Sequence, residues 1–137
     1  MKGEIRMLLR CCCLCKDDLE QVLQEGGRAF TQETNIAVEL TFFTDPIVLY
    51  SRLGNGLDWD AVLVALSGAL GMEAATRIRE EYPNKPLIWC SDDRLFGIHS
   101  YRLHCAMFLL FPVTAEQIAV ALTRCVEGIE RGGPCNE

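Results

Sequence analysis

Five times along this chain a short apolar run of strand-forming residues is followed by an amphipathic helical pattern. A helix between two strands makes a crossover, so neighbouring strands lie parallel and helices must cover both faces of the sheet. With 137 residues, half of them hydrophobic, one domain with one substantial core fits and a second does not.

The first strand is expected over Ile5 to Cys13. Its helix starts near Asp17 and Asp18, acids suited to a helix N-terminus, and buries Leu19, Val22, Leu23, Gly26 and Phe30. The second strand, Ile36 to Phe43, alternates Ile36, Val38, Leu40 and Phe42 with a more polar set, as an edge strand with one better-buried face would. Thr44-Asp45-Pro46 opens the second helix and Gly54-Asn55-Gly56 closes it. Ala61 to Leu66 is apolar without alternation, the pattern of a central strand covered on both sides.

Gly71 to Tyr82 reads as the third helix, with Ala74, Ala75, Ile78 and Tyr82 inward and Glu73 spaced to pair with Arg77. Leu87 to Cys90 is the fourth strand, Asp92 to about Leu103 a weaker helix, and Cys105 to Leu110 the fifth strand. Thr114 and Gln117 form a capping box ahead of the stripe Ile118, Ala121, Leu122, Cys125 and Ile129. For a (βα)5 chain of this size we expect an α/β flavodoxin-like three-layer sandwich. Its parallel five-stranded sheet has the order 2-1-3-4-5, with ligands expected at the carboxyl ends of the strands. We place this domain at residues 1–131 and a disordered tail at 132–137.

A net charge of −6 argues against nucleic-acid binding, which needs clustered cations to displace counterions. The longest apolar run is about half of the roughly 20 residues that a spanning helix needs, and no signal-peptide pattern opens the chain. A cytoplasmic protein with no membrane contact is expected. The eight cysteines include Cys11, Cys12, Cys13 and Cys15 in one apolar run, which reads as free buried thiols and not as a disulfide framework.

The stretch DWDAVLVALSGALGMEAATRIREE (Asp58 to Glu81) resembles the centre of a CheY-like response-regulator receiver domain, where a buried strand ends on the phosphorylated aspartate. PLIWCSDD (Pro86 to Asp93) resembles the family's fourth strand with its switch hydroxyl. FLLFPVTAEQIAVAL (Phe108 to Leu122) resembles its fifth strand, Lys-Pro junction and last helix. The flavour is closest to receivers of LytTR- and AgrA-type regulators. The resemblance implies a phosphoacceptor pocket, and here that pocket is degenerate. Ala65 stands for the nucleophile, Phe111 for the lysine, and Cys13 with Leu14, or Leu14 with Cys15, for the acid pair; Ser91 alone keeps the hydroxyl. Mg²⁺ needs oxygen ligands and a transferring phosphoryl group needs positive charge around its oxygens, so no phosphorylation is expected. The resemblance also implies a cis peptide before Pro112, a geometry that X-Pro bonds adopt at a cost of about 0.5–1 kcal/mol. Ser91 is otherwise read as a helix cap; Asp17 and Asp18 could take the acid-pair role only by sliding the first strand, which would unmatch the helix, and are read as caps.

The protein expected from these residues is a pseudo-receiver that is not an enzyme, holds no cofactor or metal, and signals by binding a protein partner or a second copy. The family's surface for this is the fourth helix, fifth strand and fifth helix. Since only VEGIERGGPCNE follows Cys125, no effector domain is expected in this chain, and one could act from another chain. The competing chemistry is a thiol redox or metal-sensing module. It would use the C-x-x-C of Cys12 and Cys15 at a strand-to-helix junction, where a helix dipole lowers a thiol pKa. His99 and His104 have no triad partners and read as surface or partly buried residues.

Overall fold

A computed structural model of the chain describes residues 7–130. Strands and helices alternate as β1 (Leu8–Cys15), α1 (Glu20–Thr34), β2 (Ala37–Phe43), α2 (Pro46–Leu53), β3 (Ala61–Ala65), α3 (Gly68–Glu81), β4 (Leu87–Ser91), α4 (Phe96–Arg102), β5 (Met107–Leu110) and α5 (Ala115–Glu130). The five strands form one parallel sheet in the order β2-β1-β3-β4-β5. Ile5 and Arg6, expected in the first strand, and the tail expected at 132–137 lie outside the described residues.

Two apolar layers sandwich the sheet. Cys11, Cys13, Cys15, Ile88 and Cys90 pack with Leu23, Phe30, Ile118, Leu122 and Cys125 of α1 and α5. On the other face Cys12, Leu14, Val62, Val64 and Trp89 pack with Leu49, Leu53, Ala74, Ala75 and Ile78 of α2 and α3. All residues of β3 and β4 are buried, which is why their sequences lack alternation.

Local chemistry sets the helix starts. Asp45 accepts from the Ile47 N–H at 2.9 Å with Pro46 in the first turn of α2. Thr114 and Gln117 bond reciprocally, Thr114 N–H to Gln117 Oε1 at 3.0 Å and Gln117 N–H to Thr114 Oγ1 at 3.1 Å.

Several expectations need correction. β1 runs two residues further than Cys13, because cysteines and leucine give no polar signal for the strand end. Asp17 and Asp18 form a 3-10 turn ahead of α1. α3 begins at Gly68, and Arg77 pairs with Glu81 (3.4 Å) and lies 4.3 Å from the Tyr50 ring centroid instead of pairing with Glu73. α4 starts only at Phe96, so Ser91 does not cap it. Ile129 is exposed, since α5 has by then run past the sheet edge. The apolar stripe of β2 is only half-covered: Val38, Leu40 and Phe42 are half-buried, Glu39 between them is exposed, and Phe43 on the other face is the one buried residue of the strand.

Candidate functional site

The winding reverses between β1 and β3, and a cleft of about 320 Å³ opens at their carboxyl ends. It is lined by Lys16, Asp18, Leu19, Ala65, Leu66, Ser67, Phe111 and Pro112. Ala65 ends β3 and faces Cys15 across the ladder, while Cys13 and Leu14 pair with Leu63 and Val64 further inside. Of the two frames considered for the acid pair, only Leu14 with Cys15 reaches the level of Ala65. The Cys13–Leu14 frame falls inside the strand.

The cleft thus holds two ionic groups, Lys16 at the expected carboxyl end of the first strand and Asp18, which the sequence reading favours as a helix cap. Phe111 and Pro112 complete the wall, joined by a cis peptide bond. Ser91 lies outside the lining. It is fully buried, and its hydroxyl donates to Asp92 Oδ1 at 3.3 Å and accepts from the Asp93 N–H at 3.4 Å.

Asp92 Oδ1 also accepts the Gly68 N–H at 3.1 Å. The β3–α3 and β4–α4 loops are therefore tied by one carboxylate that already occupies both the serine hydroxyl and the first amide of α3. Gly68 has φ +69°, a left-handed conformation that costs glycine least. Among the described residues no group of three or more His, Cys, Asp or Glu side chains is placed to hold a metal ion.

The thiols are arranged against redox exchange. Strand alternation sends Cys12 to the α2–α3 face and Cys15 to the α1–α5 face, so the two ends of the C-x-x-C point to opposite layers. Burial pushes the Cys12 and Cys15 thiols up to about 12 each. Cys90 and Cys105 rise to about 12 for the same cause, and burial also holds Cys125 well above its usual value. Cys125 stands six positions before Arg131 but lies buried within α5 and not in an anion-binding loop.

Because these thiols hold their protons more tightly when folded, the unfolded chain ionises first. The contribution of these thiols to stability should be constant below about pH 8.5 and be lost as pH rises above it, with native labelling of Cys11, Cys12, Cys13, Cys15, Cys90 and Cys125 by a thiol reagent slow. Urea titrations at stepped pH check this. A rise in stability as pH passes about 8.5, or fast labelling of those buried cysteines located by peptide mapping, would contradict it.

No protein-family model and no curated protein matches the chain. Solved structures do. The response regulatory domain of protein mrkE from Klebsiella pneumoniae superposes with TM-score 0.70 at 14% identity, covering 89% of this chain and 98% of that one. A CheY-like receiver domain protein from Methanospirillum hungatei gives TM-score 0.66 at 14% identity over 92% of this chain and 99% of its own. This chain has the receiver-domain fold. The orphan response regulator HP1043 of H. pylori shares it, with TM-score 0.64, 14% identity and coverage of 88% and 99%. Within the receiver fold the cleft at Ala65 is at the carboxyl edge where doubly wound sheets bind ligands. His99 and His104, both exposed, lie away from it on and after α4.

Proposed function

We propose that this chain is a receiver-like signalling module that works without phosphorylation and acts by binding protein through the α4–β5–α5 face. The observation that carries the first half is the Ala65 end of β3: the cleft offers no carboxylate nucleophile there, and Phe111 stands on its wall in place of a cation. The tie from Asp92 to Gly68 and Ser91 favours one standing conformation of the two loops that border the cleft.

For the second half, Leu95, Ile98 and Tyr101 follow one another at helical spacing and are 71%, 62% and 84% exposed. Val120 on α5 and Leu110 on β5 are exposed too. A stripe of large apolar side chains on a short helix is the kind of surface that a partner covers. Phe96 and Phe108 flank the buried Trp89 ring at 5.3 and 5.4 Å, so α4 has a firm seat beneath that stripe.

Incubation with acetyl phosphate and Mg²⁺ should leave the intact mass of the wild-type chain unchanged. Ala65→Asp should also stay unlabelled, because the new carboxylate lacks a lysine at position 111 and, with Asp18 as the one other acid among the described residues that line the cleft, a placed set of metal ligands. Ile98→Glu should keep the wild-type melting curve while losing the proteins that the wild-type chain retains from its native cell. An acid-labile gain of one phosphoryl group on the wild-type chain, or identical retention by Ile98→Glu, would refute the corresponding half.

A further inference from the structure

At the opposite edge of the sheet from α4 and β5 lies β2, which among the described residues pairs with β1 alone. The Ala37 N–H donates to the Met7 carbonyl at 3.1 Å. In a parallel ladder a residue turns both backbone groups to the same side, so the odd-numbered residues of β2 address β1. Val38, Leu40 and Phe42 therefore direct their N–H and C=O groups to the open edge. Their side chains share the face beneath α1 and stay half-exposed along a groove of about 610 Å³ bordered by Gly27, Arg28 and Thr31. Natural edges are blunted by lysine, proline, bulges or cover. The strand AVELTFF carries neither lysine nor proline, and its one charge, Glu39, lies on the other face, 3.9 Å from Arg10.

We propose that this edge is where a second copy of the chain pairs, β2 running antiparallel to β2 about a twofold axis at Leu40. Antiparallel strands bond through pairs of residues that exchange both N–H and C=O groups. Centring on Leu40 sets Val38 against the partner's Phe42 and Leu40 against the partner's Leu40, so every outward-facing backbone group of the strand core meets a complementary one. The same register places Glu39 opposite the partner's Thr41 and away from the partner's Glu39, so no like charges face each other. The apolar side chains of the two strands then form one floor running beneath both copies of α1. The contact is isologous and closes at two copies. It leaves the α4–β5–α5 face free and does not depend on what that face binds.

Sedimentation equilibrium of the full chain tests this. The wild-type chain should dimerise reversibly. Leu40→Lys, which sets two ammonium groups side by side at the axis, should weaken the dimer at least about tenfold. Leu40→Pro should do the same: the N–H it removes points to the open edge and not to β1, so the native ladder stays intact. Circular dichroism of both variants should show the native fold, with some loss of melting temperature from the apolar contacts of Leu40 with the core, and Ile98→Glu should dimerise as wild type does. A wild-type chain that stays monomeric up to its solubility limit would overturn the proposal. So would a dimer unaffected by Leu40→Lys, or a dimer abolished by Ile98→Glu.

Discussion

Replacing Arg79 with methionine is expected to destabilise the chain by about 3–5 kcal/mol, a large part of the 5–15 kcal/mol typical of a domain. Arg79 is buried in the last turn of α3, at the amino end of the sheet. Its Nε donates to the Leu103 carbonyl at 2.7 Å. Its Nη1 donates to the carbonyls of Tyr82, Pro83 and Lys85 at 3.0, 3.1 and 2.7 Å, and its Nη2 to His104 at 3.4 Å. One planar guanidinium thus satisfies the end of α3, the turn into β4 and the turn that links α4 to β5. Methionine keeps the length and the apolar contacts of the stem but removes a buried charged donor, whose hydrogen bonds are worth more than neutral ones. Arg79→Lys should fall between the two, because a point ammonium cannot span the same fork. Thermal midpoints should drop by roughly 10–20 °C for methionine. A change under 1 kcal/mol by urea titration would show that the neighbouring loops supply their own donors.

The second large effect is expected at Gly71, where alanine should destabilise by about 2 kcal/mol or more. Elsewhere in a helix, glycine to alanine gains about 1 kcal/mol. At Gly71 a Cβ would run into the carbonyl oxygen of Leu66, a backbone atom that cannot rotate aside, and overpacking of this kind outweighs the helix propensity. Leu66 lines the cleft, so the same clash pushes on the wall of the candidate site. Gly128 is the matched control: it lies in α5 with nothing within 4 Å of its would-be Cβ, so Gly128→Ala should be neutral or stabilising. Equal effects at the two positions in chemical denaturation would contradict the steric account.

Legibility in the sequence followed the strength of the local signal. The Thr114–Gln117 box and the Asp45-Pro46 start mark their helices because those side chains serve the helix ends directly. The end of β1 was not legible. Cys13, Leu14 and Cys15 are all apolar, and only pairing with Leu63, Val64 and Ala65 shows where the strand stops. The candidate acid-pair frame moved with it to Leu14 and Cys15, and Asp18, read as a helix cap, lines the cleft with Lys16. The start of α4 was hidden for a related reason: Asp92 and Asp93 look like helix-capping acids, yet Asp92 is drawn to Gly68 across the cleft and Asp93 accepts from the Leu95 N–H at 2.9 Å.

The sequence by itself determined the alternation of strands and helices, the central place of β3 and the apolar residue Ala65 at its end, because hydrophobic period and residue identity are local properties. Tertiary structure alone decided which groups converge. Alternation across a pleated sheet sent Cys12 and Cys15 to opposite cores. Chain crossing brought the Arg79 guanidinium to carbonyls some 25 residues away. The position of α1, packed closely on α5 through Gly26, left the outer side chains of β2 half-covered at an open edge. Each of these depends on contacts between segments far apart in the chain, and the physics of one segment cannot specify where another will lie.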